Sequence, residues 1–352
     1  MMGSPHERRP ASSSTGQRPW LRMALGAVLS CLIVTGCACL TPKPSIAPTQ
    51  APGEKFPEFV AVVAGRQDTL SSLAKQYLGD SSLDWFIADV NGVTAVTPGR
   101  ELIIPLKPYD RGGLAPEGLQ TVPVLCYHQF SENDIDKMTV SKRAFEEQMK
   151  FLKDRGYRVI RLDQLLDFMD FKTQIPKKSV VITIDDGWRS VYDIAYPILK
   201  QYGYPATLFT YTDLIVGGSK TLNWDMIREM SRHGIDIQCH SKTHRDLTKT
   251  INHESFQEYF EAMKKELIDS AVIIANHTDK KPTYFAYPYG ETDSFIIALA
   301  GKAGYRGAFT VHRGGNPFFT DAYRIRRSMI YGQFTLQDFE RNLRTFTAFS
   351  LR

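Results

Sequence analysis

Val180-Val181-Ile182-Thr183-Ile184-Asp185-Asp186-Gly187 is the stretch from which the rest of this chain can be read. An apolar, β-branched run that ends in adjacent carboxylates and a glycine reads as a buried parallel strand delivering two acids to its C-terminal end. Its counterpart is Ile235-Asp236-Ile237-Gln238-Cys239, a second strand-like run, which leads directly into His240-Ser241-Lys242-Thr243-His244. One carboxylate and two imidazoles make an open facial metal site, suited to zinc or a similar divalent ion, with room left for water and substrate. The other carboxylate is then free to act as a base. A surface turn is the competing reading of Asp-Asp-Gly, and a hydrophobic strand running straight into it disfavours that.

Outward from these motifs, apolar strands alternate with amphipathic helices from Val122 onward. Strands are expected at Val122 to Leu125, Tyr157 to Ile160, Val180 to Ile184, Ala206 to Thr210, Ile235 to Cys239, Tyr284 to Tyr287, Gly307 to Val311 and Tyr323 to Ile325. Helices are expected at Ser141 to Arg155, Asp193 to Tyr202, Asp225 to His233, Ser255 to Ile274, Asp293 to Ala303 and Leu336 to Phe346. That alternation predicts an α/β fold, an irregular (β/α) barrel with its site at the C-terminal ends of the strands.

The N-terminal region reads differently. A basic, Ser-rich stretch runs to Arg22, followed by a short apolar segment from Met23 to Val34, the pattern of a signal peptide rather than a membrane span. Val34-Thr35-Gly36-Cys37 resembles a bacterial lipobox, which implies a signal peptide over 1–36 and a lipidated Cys37. The Ala38 that follows points, by similarity to lipoprotein sorting, to the periplasmic face of an outer membrane. Residues 37–57 are rich in Pro, Ala and Thr and read as a flexible tether. Residues 58–108 suggest a small β-α-α-β unit, with a first helix capped by Asp68 and a second ending at Asn91-Gly92. Asp68-Thr69-Leu70, Leu73-Ala74, Tyr77, Asn91, Pro98-Gly99 and Leu102-Ile103-Ile104-Pro105 resemble a LysM module, which implies binding to N-acetylglucosamine-containing glycans. Arg66 and Gln67 depart from the usual LysM spacing. Gly112-Gly113 and Pro116 mark a linker before the barrel domain, 120–352.

The 43% hydrophobic content supports a sizeable core, and the net charge of +5 is modest. With no Lys/Arg stripe interleaved with aromatics, no nucleic-acid partner is expected. Five cysteines make no disulfide framework: Cys31, Cys37 and Cys39 fall in the N-terminal export and tether segments, and Cys126 and Cys239 read as small buried hydrophobes, although a bridge between them is conceivable in an exported protein.

Thr183-Ile184-Asp185-Asp186-Gly187 followed by His240 to His244 resembles the polysaccharide deacetylase family (NodB homology, carbohydrate esterase family 4) over roughly Thr121 to Phe346. The resemblance implies that Asp185 is the base and that Asp186, His240 and His244 hold the metal. Pro123-Val124-Leu125-Cys126-Tyr127-His128 is similar to deacetylases of poly-N-acetylglucosamine, which implies His128 as the acid for the departing amine, with His312 as its rival or as a substrate contact. Phe285-Ala286-Tyr287-Pro288-Tyr289-Gly290 is similar to the family's third motif. Pro288, Tyr289 and Gly290 would shape the pocket, and the motif arginine is replaced by Ala286, leaving Arg326 or Arg327 to stand in. Arg326 and Trp224 are further candidate substrate contacts, Trp224 being equally at home in the core.

Together these features imply a lipid-anchored enzyme of the cell envelope, using a divalent metal ion (zinc is expected) to remove N-acetyl groups from a polysaccharide containing N-acetylglucosamine, either peptidoglycan or poly-N-acetylglucosamine. An O-acetyl esterase and a non-catalytic glycan-binding lipoprotein are the alternatives.

Overall fold

Ser179–Asp186 is a strand in which every residue is buried, and it lies at the centre of a curled sheet. A computed structural model describes residues 58–251 and 253–349. The expected signal peptide, tether and Cys37 lie outside the described residues. All of the described residues fall within one compact unit. Among them no helix is long and apolar enough to cross a membrane.

The 179–186 strand pairs in parallel with Val122–Tyr127 on one side and with Ala206–Thr210 on the other. From Ala206–Thr210 the sheet continues in parallel through Ile235–Cys239, Tyr284–Ala286 and Gly307–Phe309. The segment 325–329 then spans the two ends of this row. Ile325 bridges to Phe309, while Ser328 and Met329 pair with Leu125 and Cys126. The parallel register places Tyr127, Asp186, Thr210, Cys239 and Ala286 near one rim, so the residues that follow them converge there.

The interior is filled from both sides of the strands. Val122, Val124, Val181, Phe209, Tyr284, Phe309 and Ile325 belong to one apolar cluster, and Leu125, Tyr127, Ile182, Ile184, Leu208, Ile237 and Phe285 to another. The outer helices include Lys142–Asp154, Trp224–Arg232 and Ser294–Ala303, capped at their N-termini by Ser141, Asn223 and Asp293 side chains. The expected helices around 193–202 and 255–274 each contain a π-wound stretch, Val191–Ala195 and Lys265–Asp269.

Several expectations are corrected. No regular strand forms at Tyr323 to Ile325; the pairing falls later, at Ser328–Met329. The helix begun at Leu336 stops at Glu340. Phe346–Ala348 instead forms a strand against Gly118–Gln120, whose other edge pairs with Leu114–Ala115. The expected linker is therefore a hairpin in a small three-stranded sheet. Local helical periodicity lost there to pairing between segments more than two hundred residues apart.

Residues 59–105 run strand, helix, helix, strand. Phe59–Val63 pairs antiparallel with Glu101–Pro105, and the helices Leu70–Leu78 and Asp84–Asn91 lie between them in sequence. Val60, Val62, Leu73, Ala74, Ile87, Leu102 and Ile104 form its separate core. The first helix is capped by Thr69, in a box with Ser72, rather than by Asp68. Asp68 instead accepts from the Gly65 N–H at 2.6 Å, closing the preceding turn. Asn91 fastens the second helix to the last strand, donating to Ile103 O at 2.6 Å and accepting from Ile103 N–H at 2.8 Å. This unit rests on the barrel through Asp84, which accepts two bonds from Arg158 at 3.0 and 3.1 Å, and through Asp89, which accepts from Lys177 N–H at 3.1 Å.

Candidate active site

The rim formed by the strand ends opens into a cleft of about 330 Å³ lined by His128, Lys137, Met138, Asp185, Asp186, His240, His244, Tyr287, Tyr289, Val311, Met329 and Tyr331. Asp185 and Asp186 reach it differently. Asp185 is the last residue of the strand in extended conformation, whereas Asp186 turns into the left-handed region at φ 79°. That turn separates the two side chains. Gly187 follows at φ 128°, where a Cβ would lie 2.6 Å from Ile215 Cδ1 and 2.9 Å from Thr210 Oγ1, so the motif's third residue has to be glycine.

Asp186, His240 and His244 present one ligand atom each within 4.8 Å of one another. Asp186 Oδ1 lies 3.5 Å from His244 Nε2 and 3.8 Å from His240 Nε2, and it is buried with no hydrogen-bond partner. A buried carboxylate oxygen left unpaired beside two imidazole nitrogens is the signature expected of an oxygen that serves a cation. The other carboxylate oxygen is fixed by the Trp188 indole, which donates to Oδ2 at 2.8 Å. His240 Nδ1 lies 2.7 Å from the carbonyl of Ala286, so Nδ1 carries the proton and the Nε2 lone pair faces Asp186. Burial pushes the His240 imidazole down to about 4, although Asp185 pulls it up, so the ring is neutral at pH 7, the form that coordinates metal. Donor set and electrostatics fit a divalent ion.

His244 is held by the turn Ser241–His244, in which both end residues have positive φ, 75° and 64°. Glu266 braces this turn from the outside: its buried carboxylate accepts from the N–H groups of Lys242 and Thr243 at 2.8 and 2.9 Å and from Thr243 Oγ1 at 2.7 Å. The rings of Tyr211 and Tyr289 flank His244 at centroid distances of 5.0 and 4.8 Å. Tyr289 reaches the cleft at φ 61°, and the buried Pro288 and Gly290 fix its turn. Backbone strain thus gathers at the candidate metal ligands and the cleft wall.

Asp185 faces the interior of the barrel. Arg327 donates to Oδ1 at 2.6 Å and to Oδ2 at 2.8 Å, in a bidentate pair with no solvent exposure on the arginine. The guanidinium is itself positioned by its Nε bond to Thr310 O at 3.0 Å and by the face of Phe209, 5.3 Å away. Cys126 Sγ also contacts Asp185 Oδ2, at 3.4 Å. Burial alone would raise the Asp185 carboxyl. The Arg327 charge, with His240 and His128, more than offsets this and holds it well below the usual carboxylate range. Arg327 therefore occupies the role left vacant at Ala286. Cys126 and Cys239 are both buried and both free.

The cleft brings together His128, Asp185, Asp186, His240, His244 and Tyr289. Three expected substrate contacts do not line it. Trp224 stacks on His277 at 4.2 Å between two outer helices. Arg326 points away from Arg327, because adjacent residues in an extended segment face opposite sides, and it lines a separate cleft. Val311 faces the candidate site, whereas His312 is exposed beside it. Of the two arginines expected to stand in for the motif arginine, Arg327 is the one that pairs with Asp185, while Trp188 and Glu266 went unforeseen. Trp188 directly follows the Asp-Asp-Gly motif, which was the available signal. Glu266 lies inside a long helical pattern with nothing local to distinguish it.

A profile described as "Polysaccharide deacetylase" matches residues 172–308. The poly-β-1,6-N-acetyl-D-glucosamine N-deacetylase of Staphylococcus aureus (strain MRSA252) is 30% identical over 210 residues, covering 58% of this chain and 72% of that protein. A crystal structure of a polysaccharide deacetylase from Bacillus cereus superposes with a TM-score of 0.54 at 25% identity, covering 72% of this chain and 74% of that one. The Streptococcus pyogenes deacetylase PplD, in complex with acetate, gives a TM-score of 0.58 at 22% identity over 64% of this chain and 98% of that one, a likeness of fold. With the curled parallel sheet and the matching motifs, these similarities establish that the chain belongs to the polysaccharide deacetylase family.

Proposed function

We propose that this polysaccharide deacetylase is a metal-dependent N-deacetylase acting on a β-1,6-linked polymer of N-acetylglucosamine. The observation that carries the reading is the unpaired, buried Asp186 Oδ1 between His240 and His244, beside an Asp185 held ionised by Arg327. The substrate class comes from the Staphylococcus aureus relative and from the Pro123 to His128 run.

A divalent cation at Asp186, His240 and His244 would supply Lewis-acid polarisation of the acetyl carbonyl and a lowered pKa for the attacking water. This chain's residues do the rest. Asp185, ionised and oriented by Arg327, accepts the proton of the water as its oxygen bonds to the acetyl carbon. The carbon–nitrogen bond breaks, and the departing amine takes a proton from His128, whose side chain lines the same cleft. Acetate and a free glucosamine unit result. The rings of Tyr289 and Tyr211 pack against His244, and Tyr289 also lines the cleft.

The remaining parts of the proposal place the enzyme. Lipidation at Cys37 would tie it to the cell envelope, at the periplasmic face of an outer membrane, stably only if more than one acyl chain is attached. The 59–105 unit would hold N-acetylglucosamine-containing glycan from the end of the barrel where the Ser179–Asp186 strand begins. Acetate release from β-1,6-linked N-acetylglucosamine oligomers, peptidoglycan fragments and O-acetylated xylan tests the substrate. Release from the β-1,6 oligomers is expected to dominate. Preference for peptidoglycan would move the assignment to the cell wall, and preference for xylan would make the protein an esterase.

A further inference from the structure

On the outer wall of the barrel, behind the segment that carries Arg327 inward, lies a second cleft of about 400 Å³. Its lining includes Arg313, Arg326, Arg341 and Arg344 and contains no carboxylate. Arg313 is committed to Asn342 and to the carbonyl of Met329, and Arg341 to Asp338. Arg326 and Arg344 form no ion pair among the described residues. Ser328 also lines the cleft and is 2% exposed. The wall is shaped to fit. Gly314, at φ 154°, lies so close to Arg326 that a Cβ there would sit 3.0 Å from the arginine's Cδ. Phe319 contributes an aromatic side chain that is 65% exposed.

We propose that this cleft binds a phosphate monoester carried on a sugar. Arg326 and Arg344, which have no ion pair among the described residues and share a cleft lined by no carboxylate, attract an anion. A phosphate monoester brings close to two negative charges and three acceptor oxygens, enough for Arg326, Arg344 and the Ser328 hydroxyl together. The volume lies within the range of small-molecule sites and leaves room for a ring beyond the phosphate, where Phe319 offers a stacking face. The two clefts share no lining residue, and the proposal does not depend on which glycan is deacetylated.

Calorimetric titration of the full chain at constant ionic strength tests it, with glucosamine 6-phosphate, glucosamine and inorganic phosphate as probes. Glucosamine 6-phosphate should bind, inorganic phosphate more weakly, and glucosamine not at all. The double variant Arg326→Glu, Arg344→Glu, with its fold checked by circular dichroism, should weaken glucosamine 6-phosphate by roughly tenfold or more, the loss expected of charge-assisted hydrogen bonds. Phe319→Ala should weaken the sugar phosphate and spare inorganic phosphate. Undiminished binding in the double variant overturns the site. Equal affinity for the sugar phosphate and inorganic phosphate overturns the sugar half. Arginine-dependent sedimentation with phosphatidylglycerol vesicles, with no binding of the sugar phosphate, would replace the proposal with a membrane contact.

Discussion

The catalytic rim and the 59–105 unit are built on opposite principles. In the small unit, polar side chains stay at the surface or close local turns, an apolar core supplies the cohesion, and the positive-φ positions are glycines: Gly79, Gly92 and Gly99. At the rim, ionisable groups are buried: Asp185 and His240 are fixed by partners from distant segments and Asp186 by its near neighbour Trp188. Asp186, Ser241, His244 and Tyr289 hold conformations that side-chain-bearing residues seldom adopt. The contrast teaches where this molecule trades stability for chemistry. Strained, desolvated groups persist only because Arg327, Glu266, Trp188 and the Ala286 carbonyl hold them in place.

That comparison can be broken most severely at the base. Asp185→Asn should retain metal, because Asp186, His240 and His244 remain, and lose roughly 10²–10⁴-fold in deacetylation rate. Wild-type turnover in this variant would remove Asp185 from the chemistry. Next comes the buried pair. Arg327→Met leaves an uncompensated carboxylate inside the barrel and should cost about 3–5 kcal/mol in urea unfolding. The double variant Asp185→Asn, Arg327→Met should recover much of that loss. Strictly additive losses would show that the two residues are not energetically coupled. Arg327→Lys is not a conservative replacement, since an ammonium cannot make both bonds at once.

Smaller effects sharpen the contrast. Glu266→Gln removes the charge that receives the Lys242 and Thr243 N–H groups, and metal affinity should fall about 10–100-fold through His244. Unchanged affinity would mean that the turn holds itself. In the small unit, Arg158→Ala breaks a partly exposed pair with Asp84 and should shift stability by no more than about 1 kcal/mol. A larger loss would show that docking of the unit supports the barrel.

Legibility follows the same division. Ala206–Thr210 and Ile235–Cys239 have the bounds read from periodicity, because buried parallel strands are continuous apolar runs with sharp ends. The Asp-Asp and His-x-x-x-His residues were visible because each follows such a strand. Arg327 was not resolved from Arg326, since its partner lies 142 residues away. The clue was alternation: Ile325 is apolar and points inward, so Arg327, two residues on, shares its face. Glu266 and the 346–348 strand gave no local sign, because their roles come from tertiary contacts alone. Trp224 was ambiguous from the start, and in the structure it stacks on His277 away from the cleft lining.

The central claim is that Asp186, His240 and His244 form one metal site on which deacetylation depends. Bound metal measured by elemental analysis, alongside acetate release from β-1,6-linked N-acetylglucosamine oligomers, for wild type and His240→Ala tests it directly. Near-stoichiometric divalent metal in the wild type, with metal and acetate release lost together in the variant, is the predicted result. A variant that keeps its full complement of metal, or releases acetate without it, would contradict the account.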